Sequence, residues 1–382
     1  MMIRRPRPWI WLIRICFLVA ALTFGIVYQA SAKEPTDLAR VIGWVIDEVI
    51  LPDHRAMVDA ASAQRNALDA LCAMPSQAGL TNARDRFADL IGAFSRIEVY
   101  RFGPSRSENR YERLFFWPDR GGRSLRQVQG VIANQDETAL TVESLQNKSV
   151  ALQGLVALDY LLAGTGNADL AKVFETGTEG ATARDYRCTY ALAAAGAIAD
   201  TANDILEGWQ GTDGYGALML APGPDNPVYR SNIEVIEDIL QATAEQIQIL
   251  RDLKLAAVIG DTPEDARPKR APFWRSNVVL TAMLGNIDAV LGLHGDHALA
   301  ALLPEEHAAF ARSLRFELGQ ARRALSILEA EGGAWETLAA EANSHDALSY
   351  TLIPLAGAAA ILGERYPPAL GLTLGFNSLD GD

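Results

Sequence analysis

Cysteine and histidine are both scarce in this chain: 382 residues include three cysteines and five histidines. Zinc sites built from closely spaced Cys and His pairs are therefore absent. Other catalytic templates are missing too. There is no G-x-S-x-G turn, no H-E-x-x-H helix and no phosphate-binding loop, and the glycines of DRGGR at 119–123 are not followed by Lys-Ser/Thr. Basic residues are few, with 34 Lys and Arg against 47 Asp and Glu and a net charge of −13. Setting aside the four arginines before residue 33 leaves a net charge of −17. Such a balance excludes nucleic-acid binding driven by counterion release and favours a solvated, soluble surface. Strand-like alternation and short-period repeats are also lacking. Beyond the N-terminal region no segment reads as apolar enough to span a membrane.

The N-terminus has the organisation of an export signal. Arg4, Arg5 and Arg7 precede an apolar run at 9–28, interrupted by Arg14, and Ala30-Ser31-Ala32 forms a small-x-small cleavage site. This predicts a signal peptide at 1–32 and delivery to the periplasm. An uncleaved N-terminal anchor is the alternative, because the run is long enough to cross a bilayer. Two cysteines remain after residue 32, Cys72 and Cys188. In an oxidising compartment they form either a disulfide or two buried thiols; spacing alone does not decide.

Nearly every long segment reads as helix. Leu38, Val41, Ile42, Val45, Ile46, Val49 and Ile50 recur at helical spacing. That helix extends from 37 to 73, with Pro52 expected to kink or break it. Further helices are predicted at 82–94, 149–162, 182–209, 230–255, 274–291, 304–331, 335–341 and 348–364. The Gly-, Pro- and Arg-rich stretch 101–123 reads as a long irregular connection, of the kind that often carries function. A Gly/Pro-dense stretch at 211–229 is the best boundary between halves. The predicted architecture is all-α: an N-terminal helical bundle at 33–210, a linker at 211–229, a C-terminal bundle at 230–382, and a cleft between them.

Residues 149–164 read SVALQGLVALDYLLAG. The segment resembles the signature helix of the imelysin family, G-x-H-x-x-E. Gly154 is kept, Val156 stands at the His position and Asp159 at the Glu position. Five further segments are similar in kind and order: SRIEVYRFGP at 95–104, FFWPDR at 115–120, RCTYALAAAGAIADT at 187–201, FWRSN at 273–277 and LGLTLGFNSLDGD at 370–382. The resemblance implies two helical bundles with an interdomain cleft, a periplasmic location and a link to iron acquisition. It implies iron or another divalent metal as a possible cofactor, with iron-uptake or other periplasmic and membrane proteins as partners. The family's metallopeptidase label rests on the His-x-x-Glu pair, and Val156 has no atom able to ligate.

Candidate residues follow from charge in apolar surroundings. Asp159 sits in a helix that is apolar nearly all round, so its carboxylate needs a cation or hydrogen-bond donors. Arg101, Arg120 and Arg275 lie in the family-like segments and carry the planar fork suited to a carboxylate or an anionic ligand. Gly154, Asp159, Arg101, Arg120, Arg275 and Ser276 are therefore the candidate ligand-binding set, and Asp159 with His54 the candidate metal ligands. Phe116 and Trp117 read as packing residues, with a stacking platform as the alternative, and His294 and His297 as surface histidines near a helix end. Three functions remain open: a non-enzymatic binding or accessory protein of an iron-linked system, a metal-dependent peptidase or other hydrolase, and a structural protein-interaction module.

Overall fold

A computed structural model describes residues 35–119, 121–164 and 181–372. The predicted leader, Arg120 and the terminal GFNSLDGD lie outside these described residues. Among them every regular element is helical, as the periodicity predicts. The longer helices are α1 (Pro35–Val45), α2 (Leu51–Ala73), α3 (Gln77–Ile97), α4 (Arg123–Asn134), α5 (Gly154–Ala163), α6 (Ala181–Trp209), α7 (Asn232–Gln248), α8 (Val279–Leu293), α9 (Ala308–Glu331) and α10 (Ala342–Ala360).

Two groups of helices follow the order of the chain. In the first half α2 packs on α3 and α6, and α6 packs on α5. In the second, α9 packs on α8 and α10. The groups meet where α8 lies along α3, and one hydrophobic core runs through both. The stretch at 211–229 contributes a short helix, Tyr215–Leu220, and buries Met219 and Tyr229 in that core.

Pro52 does not end the first helix. A π-helical turn at Ile46–Ile50 leads straight into α2, and this wider turn just before Pro52 carries the helix past the residue that lacks an N–H. The expected helix start at Trp274 is also displaced, because α8 begins at Val279 and residues 273–277 form a tight turn. Phe273 and Asn277 adopt left-handed φ values of 60° and 58°, which no helix accommodates. The segment Ala342–Ala369 is, against expectation, long and apolar enough to cross a membrane by length and composition. Here it packs against α9 and buries Leu348, Thr351, Leu355 and Ala358 in the core, while Tyr350 and Ile353 on the same helix stay exposed. His294 likewise departs from its expected surface position. It is fully buried, its Nε2 lies 3.1 Å from the Thr243 hydroxyl, and burial lowers its pKa to about 3. His297 is exposed and lies against Trp44.

A charged network is buried where the halves meet. Glu98, at the end of α3, accepts hydrogen bonds from Lys254, from the Asn286 amide on α8 and from Arg101. Asn286 also donates to the Ser95 carbonyl at 2.8 Å, and its own carbonyl accepts from Lys254 at 2.8 Å. The Glu98 and Lys254 side chains are 0% and 1% exposed, so each depends on the other for its charge. Burial raises the Glu98 carboxyl, but Lys254 and Arg101 pull it below its ordinary value.

Cys72, near the end of α2, and Cys188, on α6, form a disulfide with their Cα atoms 5.6 Å apart. The bridge closes a separation of 116 residues, and a loop of that size corresponds to about 5 kcal/mol of denatured-state entropy. The Cys72→Ser, Cys188→Ser double variant is expected to lose about that much unfolding free energy in denaturant titrations. A loss below about 1 kcal/mol would show that the bridge constrains little.

Candidate functional site

Helix α5 starts at Gly154, whose φ of +72° suits glycine and whose backbone passes against the 113–114 segment. A Cβ at this position would run into the carbonyl oxygens of Arg113 and Leu114. Two arginines hold the other end of the helix. Arg187 from α6 donates to the Tyr160 and Leu161 carbonyls, both at 2.9 Å. Arg84 from α3 donates twice to Leu162 O, at 3.1 and 3.2 Å. Cations on the last carbonyls satisfy orphan acceptors and complement the helix dipole. The helix is thus fixed at both ends, and Val156, Asp159 and Tyr160, spaced i, i+3, i+4, share one face.

That face forms part of the wall of a cavity of about 760 Å³. Other walls come from residues 117–119 and 121–122 with the first turn of α4, and from the segment 269–275. The Trp117 indole N–H joins them by donating to Arg270 O at 3.1 Å. Asp119 anchors the first segment by accepting from the backbone N–H groups of Arg123 and Ser124, at 2.8 and 2.9 Å, which caps α4. The second segment is pinned at its two left-handed residues. Phe273 packs its ring on Phe115 and Phe87 at centroid distances of 5.3 and 6.2 Å. Asn277 accepts from Trp335 N at 2.6 Å and donates to Gly333 O at 2.8 Å. Backbone strain of this kind persists only where surrounding contacts over-determine it.

Asp159 is the hinge between the helix and the pinned turn. It is 1% exposed and accepts from the Ser276 backbone N–H at 3.0 Å. The Arg275 guanidinium lies 3.9 Å from its other oxygen, near enough for attraction and too far for a hydrogen bond. Burial raises the carboxyl, and the Ser276 and Arg275 contacts only partly offset it, leaving a pKa of about 6. Arg275 itself lies over the rings of Trp274 and Tyr160, at 4.6 and 5.7 Å. Its Nε is buried and has no hydrogen-bond partner among the described residues.

The structure therefore brings together Asp159, Arg275 and Ser276 of the predicted set, while Gly154 begins the same helix but packs on the 113–114 segment. It does not bring Arg101 to them. Arg101 pairs with Glu98 at 3.0 Å and lies over the Tyr111 ring at 4.8 Å, as part of the buried network. His54 is elsewhere as well. Its Nδ1 is 2.8 Å from Ile50 O, and its ring sits against Tyr100 and Trp209. The predicted Asp159–His54 ligand pair is accordingly not assembled. No group of three His, Cys, Asp or Glu residues suited to a metal occurs among the described residues. The donors around Asp159 are N–H groups, which compete with a cation for its oxygens, so the residues present do not fit a metal here. Trp117, expected to pack with a stacking platform as the alternative, stacks on Phe115 at 5.9 Å and also lines the cavity. Tyr160, Ser124 and Lys269 carry no sequence signal beyond their nearness to the family-like segments.

The family model for imelysin matches residues 50–353. The chain belongs to the imelysin family. Its fold is similar to that of an imelysin-like protein from Psychrobacter arcticum 273-4, with a TM-score of 0.72 and 17% identity over 90% of this chain and 98% of that one. It is also similar to a putative iron-regulated protein A precursor from Parabacteroides distasonis ATCC 8503, with a TM-score of 0.68 and 15% identity over 87% and 96% of the two chains. No curated protein matches the sequence significantly. In this chain the signature positions Val156 and Asp159 both line the cavity, and neither belongs to a metal-ligating cluster among the described residues.

Two outcomes are expected. Gly154→Ala forces a Cβ into two carbonyls at a left-handed position and should lower unfolding free energy by about 3 kcal/mol, measured by denaturant titration. The Asp159 effect has a definite sign. Its folded pKa, about 6, lies above the ordinary 3.8. Its contribution to stability is therefore present below 3.8 and is lost as pH rises through 6. Compared with Asp159→Asn, the unsubstituted protein should lose about 3 kcal/mol of unfolding free energy between about pH 4 and pH 7. Parallel stability–pH curves for the two proteins would rule out a buried, protonation-sensitive carboxyl.

Proposed function

We propose that this imelysin-family protein is an exported, non-peptidase binding protein that acts as an accessory component in iron acquisition and takes its ligand in the cavity beside α5. One observation carries this reading. The helix face that bears the family signature lines a cavity, but with Val156 and a hydrogen-bonded Asp159 in place of a His–Glu ligand pair. A metal-activated water requires about three protein ligands and an open position. Asp159 alone offers one carboxylate, already engaged by Ser276 N–H. A cavity of about 760 Å³ at the meeting of several elements is of the size and placement usual for small-molecule sites.

Export is supported by the basic, apolar and small-x-small order of the first 32 residues. The Cys72–Cys188 disulfide suits an oxidising compartment. The word precursor in the name of the Parabacteroides distasonis neighbour points the same way, and its description as iron-regulated supports the link to iron. Periplasmic or membrane proteins of iron uptake are the partners this reading implies.

The test is to incubate purified protein with unstructured polypeptide substrates and zinc, iron or manganese, with and without chelator. No metal-dependent cleavage is expected. Turnover that survives repurification and disappears in Asp159→Ala would restore the metallopeptidase reading.

A further inference from the structure

The walls of the cavity specify a ligand chemistry. This step rests on the reading that the cavity binds a small molecule. We infer that the ligand is an organic carboxylate with a flat, ring-bearing body, its carboxylate held by Arg275 and Ser124 and its ring by the aromatic wall.

The polar side of the cavity is short of acceptors. Both of its carboxylates are already engaged, Asp119 by the two N–H groups that begin α4 and Asp159 by Ser276 N–H. Two donors remain without partners among the described residues: the Arg275 Nε and the hydroxyl of Ser124, a residue only 2% exposed. Both residues line the cavity. Asp119, which caps the turn of α4 that carries Ser124, lines the same cavity as Arg275. Leaving buried donors unpaired is costly, and an acceptor-only group relieves both. Cationic residues also outnumber carboxylates along the described wall, with Lys269, Arg270 and Arg275 against Asp119 and Asp159, and Lys269 pairs outside it with Glu336 at 3.4 Å. A bare metal cation meets donors and positive charge here; an anion meets what it needs.

Arg275 is prepared for a planar anion. Its guanidinium lies over the Trp274 ring at 4.6 Å and the Tyr160 ring at 5.7 Å, contacts that restrain it before anything binds. A carboxylate matches that fork with two parallel hydrogen bonds. The remainder of the wall argues against a small inorganic anion. Trp117, Tyr160, Phe273 and Trp274 line the cavity together with Leu253 and Val156, and the volume of about 760 Å³ far exceeds one phosphate. Aromatic walls of this type favour stacked or edge-on rings.

The experiment measures tryptophan fluorescence and calorimetric titration of the purified protein with 2-naphthoate, its neutral isostere 2-naphthamide, and inorganic phosphate. Naphthoate should bind at least tenfold more tightly than naphthamide, and phosphate weakly. Arg275→Gln should weaken naphthoate binding roughly 10- to 100-fold and leave naphthamide nearly unchanged, so that the two probes converge. Ser124→Ala should weaken naphthoate several-fold. Because Arg275→Gln removes a neighbour of Asp159, the paired variant Arg275→Gln, Asp159→Asn provides a folded control, with circular dichroism reporting retained helix, and it should show the same convergence. Equal affinity for acid and amide, naphthoate affinity unchanged in Arg275→Gln, phosphate binding as tightly as naphthoate, or no binding of either aromatic probe would overturn the inference. None of these results bears on the non-peptidase reading, which is decided by metal-dependent cleavage.

Discussion

The buried ion pair between Glu98 and Lys254 is the constraint on which the rest of the molecule depends. One charge ends α3 in the first half of the chain, and the other lies on the π-helical segment Ile249–Ala256 in the second. A buried charge deprived of its partner typically costs about 3–5 kcal/mol, so the two halves are held in one register. Asn286 supplies a donor to the carboxylate and an acceptor to the ammonium, which completes the network and brings α8 into it. Leu253 and Ala257, on the same segment as Lys254 and just beyond it, then become part of the cavity wall. The packing that joins the halves and the packing that shapes the site are thus one arrangement.

Around that frame the signature helix is held in place by contacts made outside its position 156. Gly154 is required by the close approach of the 113–114 carbonyls, and Arg84 and Arg187 hold the last turn. None of these contacts involves the side chain at position 156. A His position can therefore become Val156 without disturbing the fold, while the cavity beside it changes from a donor-bearing wall to an apolar one. Asp159 has a structural use that does not depend on a metal. Its carboxylate receives Ser276 N–H and so ties the 273–277 turn to α5.

Much of this is legible in the sequence. Helical periodicity locates most of the long helices, because burying an apolar stripe every 3.6 residues leaves a clear pattern. Asp159 stands out as a charge in an apolar helix, and its neighbour Arg275 is one of three arginines in family-like segments. Arg101 lies in an equally suggestive segment and goes instead to Glu98 and the Tyr111 ring. Nothing local distinguishes the two arginines, since Arg275 meets a carboxylate more than a hundred residues away and Arg101 one only a turn away. The 274–278 stretch reads as helix and folds as a turn for a related reason. Phe273 and Asn277 hold left-handed backbones only through Phe115, Phe87, Trp335 and Gly333, contacts that no local propensity reports.

By itself the sequence determined the all-α class, the family signature and its altered positions, and the need of Asp159 for donors. These follow from periodicity, residue identity and the cost of a charge in an apolar stripe, all readable along the chain. Only the tertiary structure decided that Cys72 meets Cys188, that His54 and His294 are buried apart from the site, and that Arg275 rather than Arg101 faces Asp159. It also decided that Ser124, Trp117 and Trp274 share one cavity with the signature helix. Those outcomes depend on which distant segments pack together, and the packing is set by the core and its buried charges, not by any local pattern.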